Sequence, residues 1–249
     1  MTKKAFVFAA GMGTRLAPLT DDRPKALVKL NGKPLLWHVS KKLIAEGFDD
    51  ITINVHHFAQ QIIDYVKSNE YIELFNGKAI KINISDESDC LLDTGGGLRH
   101  ASPILFDNSD LPVLLHNVDI CSNARLGELY DAIGQEDAML LVSSRKTTRY
   151  LLFNEDMRLV GWTDIRTGEI RSPFQKIDVK GLKMLAFSGI HVVCKHLVEH
   201  MQNWPSKFGI MDFYINQCKD LHIYGIEQNG LQLTDVGKIE TLQKLQDSL

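Results

Sequence analysis

The sequence predicts an α/β fold: a mostly parallel, Rossmann-like sheet with helices on both faces, plus a smaller mixed C-terminal lobe. Three observations carry this. Strand-like and helix-like patterns alternate through the first half of the 249 residues. Several of the strand segments there are continuous apolar runs, as in strands covered on both sides. The second half changes to a hairpin signal and short strands, which breaks the parallel pattern.

Residues 4–10 form the first buried strand. A helix follows over 34–46, with Leu35, Leu36, Val39, Leu43 and Ile44 on one stripe, opened by Pro34 and stopped by Gly47. Residues 51–55 alternate like a strand, and 59–67 form a helix that turns Ile62, Ile63 and Val66 inward. Then come a strand at 79–84, a short helix at 97–101 and an apolar strand at 112–116. A helix at 125–133 and a strand at 138–143 complete the alternation, which implies parallel strands joined by helical crossovers. In the second half, 149–153 and 158–162 flank Asn154-Glu155-Asp156-Met157, a hairpin signal. A long strand spans 183–193. Helices at 195–203 and 210–218 are separated by Trp204-Pro205-Ser206-Lys207-Phe208-Gly209. Short strands at 222–226 and 231–234 precede a closing helix at 238–249. There is no internal repeat and no Pro-, Gly- or Ser-rich linker, so a single domain over 1–249 is expected.

The composition, 44% hydrophobic and 24% charged, excludes a disordered, collagen-like or low-complexity chain. No apolar run approaches the roughly 20 residues of a membrane helix. A formal net charge of −3 argues against a general nucleic-acid or membrane-surface binder. Charge is uneven, however. Residues 1–33 hold seven Lys/Arg and two Asp, a net of +5, which leaves −8 for the rest. That leader is either a local anion site or a solvated basic face. Cys90, Cys121, Cys194 and Cys218 form no Cys-x-x-Cys pair, and free thiols in a reducing compartment are the simpler reading. Lys3 and Lys4 before the apolar residues 5–10 mimic a short signal peptide. The run enters Gly11-Met12-Gly13-Thr14-Arg15 with no clean cleavage site, so it reads as a strand of a cytoplasmic protein.

The strongest motif is Ala9-Ala10-Gly11-Met12-Gly13-Thr14-Arg15-Leu16, continuing to Pro24-Lys25. A buried strand delivers the chain to a loop whose glycines let backbone N–H groups form an anion-binding nest. Arg15 and Lys25 add a fork and a point charge for phosphate oxygens. A dinucleotide fingerprint fails at Leu16, where a third glycine is needed. A Walker A loop fails because Arg15-Leu16 stand where Gly-Lys would be.

These residues resemble the signature of the sugar-1-phosphate nucleotidyltransferases, the NDP-sugar pyrophosphorylases: Ala-Ala-Gly-x-Gly-Thr-Arg-Leu-x-Pro-Leu-Thr, then Pro-Lys-x-Leu. Gly32-Lys33-Pro34-Leu35 fits the family's next element. Within the family the chain is most similar to N-acetylmuramate-1-phosphate uridylyltransferases and short mannose-1-phosphate guanylyltransferases. The resemblance implies a nucleotide-binding part over 1–145 and a sugar-binding lobe with a closing helix over 146–249. It makes Ala9, Ala10, Gly11, Met12, Gly13, Thr14, Arg15 and Lys25 nucleotide-binding residues, with Arg15, Lys25 and Asp119 catalytic.

Three later segments fit. Leu91-Leu92-Asp93-Thr94-Gly95-Gly96-Gly97 leaves no side chain in the way of a flat ring and exposes N–H and C=O groups. By resemblance Thr94, Gly95 and Gly96 lie against the base, and Glu87 falls near another base-contacting position. A flexible strand–helix turn is the plain alternative. Val113-Leu114-Leu115-His116-Asn117-Val118-Asp119 ends an apolar strand on an acid, at the sheet edge where α/β ligands bind. The resemblance makes Asp119 a Mg²⁺ ligand, a role its hard oxygens suit. Without the family it is a turn or cap residue. Val118 replaces the commoner Gly. Leu233-Thr234-Asp235-Val236-Gly237 resembles Trp-x-Asp-x-Gly-Thr, whose Asp is the second metal ligand. For the sugar phosphate the resemblance suggests Asn117, Ser188, Gly189 and Lys183, through Phe187-Ser188-Gly189-Ile190; a plain edge strand is an equal reading. The family's Glu-Lys-Pro has only Phe174-Gln175-Lys176 as a poor counterpart.

The activity implied is Mg²⁺-dependent in-line attack of a sugar 1-phosphate on the α-phosphorus of an NTP, with UTP or GTP the donor that the resemblance implies. Rivals are a cytidylyltransferase acting on an alcohol phosphate and a silent nucleotide-sugar sensor; the latter is disfavoured because Arg15, Lys25, Asp119 and Asp235 are all kept. The adjacent His56-His57 point oppositely on a strand and read as a strand end capping the next helix, not as metal ligands. Some relatives append a left-handed β-helix, for which 249 residues leave no room, so a single activity is expected.

Overall fold

A computed structural model describes residues 2–107, 109–175 and 177–247. In chain order the strands and helices are β1 (Lys4–Phe8), β2 (Lys29–Leu30), β3 (Lys33–Pro34), α1 (Leu35–Ala45), β4 (Asp50–Val55), α2 (Ala59–Val66), α3 (Asn69–Ile72) and β5 (Lys81–Asp86). They continue as α4 (Asp93–Leu105), β6 (Val113–Asn117), β7 (Ile120–Ser122), α5 (Leu126–Asp131), β8 (Ala138–Ser143), β9 (Arg149–Phe153), β10 (Leu159–Asp164) and β11 (Glu169–Arg171). The last are β12 (Lys183–Val193), α6 (Lys195–Glu199), α7 (Ile210–Gln217), β13 (Ile223–Glu227), β14 (Leu233–Asp235) and α8 (Ile239–Asp247).

The α/β expectation holds. Among the described residues, ten strands form one sheet along the path β11-β10-β9-β12-β6-β1-β4-β5, with β8 pairing β12 and β13. It is parallel where strands and helices alternate: β6–β1, β1–β4 and β4–β5. Strand β12 enters antiparallel against β6 and carries β8 and the β9–β10 hairpin. From β1 the chain winds outward to β4 and β5, then returns to place β6 on β1's other side. That reversal makes a crevice at the carboxyl ends of β1 and β6.

Alternation along each strand explains the two-sided core. Ala5 and Val7 pack in one cluster with α1 residues Leu35, Leu36 and Leu43; Phe6 and Phe8 pack in the other with Leu98 of α4 and Phe213 of α7. Likewise Leu114 faces the first cluster, and Val113 and Leu115 the second. The apolar runs 4–10 and 112–116 are therefore legible as strands because both faces are buried. Helix α4 is longer than the expected 97–101. Glycine costs a helix about 1 kcal/mol apiece, and the close packing described below offsets that cost.

Two histidines sit inside this core. His116 accepts no partner at Nε2, and neither ring nitrogen of His191 has one. Burial pushes the His116 imidazole down to about 4 and that of His191 to about 3, from an ordinary 6.5. Below 6.5 the unfolded chain thus binds more protons than the native one, so stability rises with pH there and falls on acidification. His191→Leu should flatten the dependence of unfolding free energy on pH between about pH 6 and about pH 4, by up to one proton. Urea titrations across that range would check it. Among the described residues no helix is long and apolar enough to cross a membrane.

Candidate active site

Strand β1 ends at Phe8, and the chain turns over the sheet rim. The backbone N–H groups of Ala9 and Ala10 donate to Asn54 Oδ1 at 2.7 and 3.2 Å, from the neighbouring strand β4. Asn54 Nδ2 donates to Glu87 Oε1 at 2.8 Å, beyond the end of β5. Burial raises the Glu87 carboxyl above its ordinary value, and its Oε2 has no partner. Gly13 adopts φ 67°, and a Cβ there would stand 2.9 Å from Thr20 Cγ2 and 3.0 Å from Lys25 Cβ. Glycine is required on both counts. The Thr20 hydroxyl donates to the Gly13 carbonyl at 3.0 Å, and Leu16 N donates to the same oxygen at 2.8 Å. Leu16 is buried, so the one-turn helix Thr14–Leu16 is plugged into the core while the Arg15 side chain projects outward, 58% exposed.

The acids arrive from two distant places. Asp119 lies in the turn between β6 and β7, and Asp235 ends β14. Strands β7 and β14 pair antiparallel with Asp235 opposite Ile120, and Val236 N donates to the Asp119 carbonyl at 2.9 Å. That ribbon closes a gap the sequence spacing could not explain. A Cβ on Gly237 would stand 2.8 Å from Asp119 Oδ2, 2.8 Å from Asp235 Oδ1 and 2.9 Å from Arg15 Nη2. The two carboxylate oxygens and the guanidinium therefore surround one point. Lys25 Nζ donates to Asp119 Oδ2, and Arg15 Nη2 is 4.0 Å from the same oxygen. Gly237 N donates to Asp235 Oδ1 at 2.8 Å, fixing that carboxylate. Val118 is 3% exposed, packs in the core and takes no left-handed backbone, so the position does not need glycine.

These groups border a cleft of about 330 Å³, whose lining includes Phe8, Ala10, Gly11, Arg15, Lys25, Asn54, Glu87, Asp93, Thr94, Asn117, Asp119 and Lys207. Phe8, Asn54, Glu87 and Asn117 stand at the carboxyl ends of β1, β4, β5 and β6, at the crevice where the strand order reverses. A family model described as "Nucleotidyl transferase" matches residues 4–151, which include the loop, Lys25 and Asp119. The chain belongs to the nucleotidyl transferase family.

An N-acetylmuramate alpha-1-phosphate uridylyltransferase of Caulobacter vibrioides is 31% identical over 92% of this chain and 90% of its own. A probable mannose-1-phosphate guanylyltransferase 2 of Arabidopsis thaliana is 32% identical, over 59% of this chain and 40% of that one. Among solved structures, HddC from Yersinia pseudotuberculosis complexed with GMP-PN superposes with a TM-score of 0.75 at 18% identity, over 99% of both chains. A UDP-glucose pyrophosphorylase complexed with UDP-glucose gives 0.78 at 14%, over 100% of this chain and 98% of the other. At those identities the structures speak for the shared fold.

The structure places two groups of expected residues in particular surroundings. Gly95 and Gly96 do not offer free N–H groups for a base edge: both donate to the Phe208 carbonyl, at 2.9 and 3.3 Å. They lie inside α4, where close neighbours leave no room for a side chain. A Cβ on Gly95 would stand 2.3 Å from the Phe208 ring, and one on Gly96 2.4 Å from the Ser206 carbonyl oxygen. Phe208 N donates to the Leu92 carbonyl at 3.2 Å, and Ile210 N to Thr94 Oγ1 at 2.9 Å. The glycines thus dock residues 206–210 against the start of α4, and this brings Lys207 to the cleft. Gly95→Ala should cost about 1–3 kcal/mol by overpacking. A thermal midpoint several degrees lower is the expected reading, at about 2–4 °C per kcal/mol for this size.

The second group is the sugar-phosphate residues. Asn117 lines the cleft, and Gly189, with φ 80°, abuts it: a Cβ there would stand 2.8 Å from Asn117 Nδ2. Ser188 is 1% exposed, and its hydroxyl is spent on the bulge of β12, donating to the Ile190 carbonyl at 3.3 Å and accepting Ile190 N at 3.1 Å. Lys183 lies six residues back along β12, roughly 20 Å at strand rise. There its Nζ meets the Glu155 carbonyl at 3.4 Å and Met157 Sδ at 3.6 Å. Neither Ser188 nor Lys183 joins the cleft lining. Lys176 lies outside the described residues. Asn54 and Lys207 were missed by sequence reasoning; neither belongs to a local motif.

Proposed function

We propose that the chain transfers a nucleotidyl group from UTP or GTP to a sugar 1-phosphate and releases pyrophosphate. The observation that carries this reading is the meeting of Arg15, Asp119 and Asp235 around Gly237, beside a loop with Gly11, Met12 and Gly13 N–H groups that have no partner among the described residues. An oxygen of the sugar phosphate attacks the α-phosphorus, a new P–O bond forms, and the bond to the bridging oxygen of the β-phosphate breaks with its electron pair leaving on pyrophosphate. No protein nucleophile is needed; positioning and charge do the work. The loop over 11–15 and the Arg15 guanidinium hold the leaving β- and γ-phosphates. Lys25, already aligned on Asp119, offsets charge on the transferring group. Asn54 keeps the loop in place, and Glu87, held by Asn54 in the cleft wall, is the nearest carboxyl for the base.

The donor set suits Mg²⁺. Among the described residues no group of three His, Cys, Asp or Glu is arranged around one ion, and Mg²⁺ binds through one or two carboxylates together with phosphates and waters. Asp119 and Asp235 would hold it, and there it would neutralise phosphate charge and polarise the α-phosphate. The four cysteines are free, which fits the cytoplasm as the setting.

Pyrophosphate release with each NTP against a panel of sugar 1-phosphates tests the reading. Turnover confined to one donor–acceptor class supports it. A folded, Mg²⁺-supplied protein that releases none with any pair contradicts it. CTP with an alcohol phosphate as the only productive pair would move the assignment to that chemistry.

A further inference from the structure

Lys207 lines the cleft, and its amine has no partner among the described residues. The transfer chemistry above leaves it without a task. Its backbone, by contrast, is fastened on both sides. Before it, Arg99 of α4 donates from Nη1 to the Met201 carbonyl at 3.0 Å and to the Trp204 carbonyl at 2.7 Å, and from Nη2 to the Pro205 carbonyl at 3.0 Å. The same guanidinium lies 5.4 Å from the Phe208 ring centre and has no acidic partner among the described residues. A planar fork can span several carbonyls in this way, which a lysine ammonium cannot match. After it, the Phe208 carbonyl takes the N–H groups of Gly95 and Gly96, and Ile210 N donates to Thr94 Oγ1. A long side chain with a free charge thus stands on fixed backbone at the rim of the cleft.

The sheet order says which part of a nucleotide it would meet. Neighbouring strands run β6-β1-β4-β5. Gly11, Arg15 and Lys25 follow β1, and Asp119 follows β6. Leu91, Asp93 and Thr94 follow β5, and the segment that carries Lys207 docks on the start of α4 beside them. Strands β1 and β5 are two spacings, roughly 10 Å, apart. That is about the reach from the phosphates of a nucleotide to the far edge of its base. With the phosphates on the loop after β1, the base lies toward the start of α4.

We propose that Lys207 selects the nucleobase of the donor and that Arg99 is the positioning residue that sets it there. The inference rests on the transferase reading above. An ammonium group donates hydrogen bonds and accepts none. Uracil and guanine present a keto oxygen at the edge where cytosine and adenine carry an amino group, itself a donor. A lysine amine at that edge binds the first two bases and sets donor against donor with the other two. UTP and GTP, the donors proposed above, share that oxygen.

The test is the ratio of kcat/KM for UTP to that for CTP, and for GTP to that for ATP, with the sugar 1-phosphate that the protein turns over fastest. The wild type should prefer the keto base in whichever pair it uses. Lys207→Met keeps the length of the side chain and removes its donors. It should lower that preference roughly 10- to 100-fold, the scale of one hydrogen bond to a charged group, mainly through KM. Lys207→Arg should restore part of it. Arg99→Gln should lower the same preference, and should add nothing in the Lys207→Met background, because it acts only through Lys207; Arg99→Lys serves if Arg99→Gln does not fold. A merely structural Arg99 would slow both bases alike and leave the ratio unmoved, which overturns its positioning role. A wild type that prefers the amino base or neither overturns the inference. So does a Lys207→Met variant that loses the same factor with both bases, which would put the amine on phosphate or ribose. If no nucleotide is turned over, the transferase reading fails first. Calorimetric binding of UTP and CTP with Mg²⁺ then decides this one: a UTP preference absent from the wild type, or equal in Lys207→Met, overturns it.

Discussion

Asp119→Asn should lower kcat by roughly 10²–10³-fold, the scale of losing one preorganised charged contact at a reacting centre. Asp119 does two things at once. Its side chain is 9% exposed and its Oδ2 accepts Lys25 Nζ, with Arg15 Nη2 4.0 Å away, so it holds two cations in line. The same oxygen belongs to one of the two carboxylates that would hold a divalent ion. An asparagine keeps the shape and removes the charge, which leaves the half-buried Lys25 without its counter-ion. The thermal midpoint should therefore fall as well, since an unpaired buried charge is costly. Asp235→Asn makes the contrast. That side chain is exposed, and an amide oxygen can still accept the 2.8 Å bond from Gly237 N. Activity should fall while the midpoint stays near wild type, with a higher Mg²⁺ concentration needed for half-maximal rate. Steady-state pyrophosphate release at several Mg²⁺ concentrations, with thermal melts alongside, separates the two variants. Wild-type kcat in Asp119→Asn would remove the acid from the chemistry.

What the sequence revealed followed from how local each signal is. The runs ending at Phe8 and Asn117 are apolar at every position because both sheet faces are covered, and that pattern survives without knowing what covers them. The β9–β10 hairpin and the full length of β12 were equally local. The acids were legible only through the family resemblance, because a two-stranded ribbon that brings Ile120 opposite Asp235 leaves no trace in spacing. Glycines were the least legible. Gly95 and Gly96 look like a base platform in sequence and are a docking surface for Phe208 and Ser206 in the fold. A missing side chain says that something comes close, and only the fold says what. Lys183 misled for the related reason that its strand continues well past the site. Asn54 and Lys207 carry no motif: Asn54 acts on the loop from a neighbouring strand, and Lys207 reaches the cleft only because residues 206–210 dock on α4.

Gly237→Ala should lower kcat/KM by roughly 10²-fold, the penalty expected when reacting groups are displaced by about 1 Å. Its methyl group would stand 2.8 Å from Asp119 Oδ2 and Asp235 Oδ1 and 2.9 Å from Arg15 Nη2, closer than carbon and oxygen sit without a bond between them. The strain is not conformational, because Gly237 is not among the glycines with positive φ. It has to be relieved by moving a neighbour. Arg15 is the flexible end of an exposed chain and can swing away, but that takes its charge off the phosphates. Asp119 is held by Lys25, and Asp235 by the N–H of residue 237 itself. The acids can therefore separate only by giving up those bonds, and a separated pair no longer shares one ion. The control is Gly181→Ala, where a Cβ meets nothing within 4 Å and the backbone is not left-handed. There the same change should leave kcat/KM at the wild-type level and stability equal or up to about 1 kcal/mol higher, through lost unfolded-state freedom. Equal activity in the two variants would mean that the carboxylates at 119 and 235 need not stand together, and the reading of one shared cation site would fall with it.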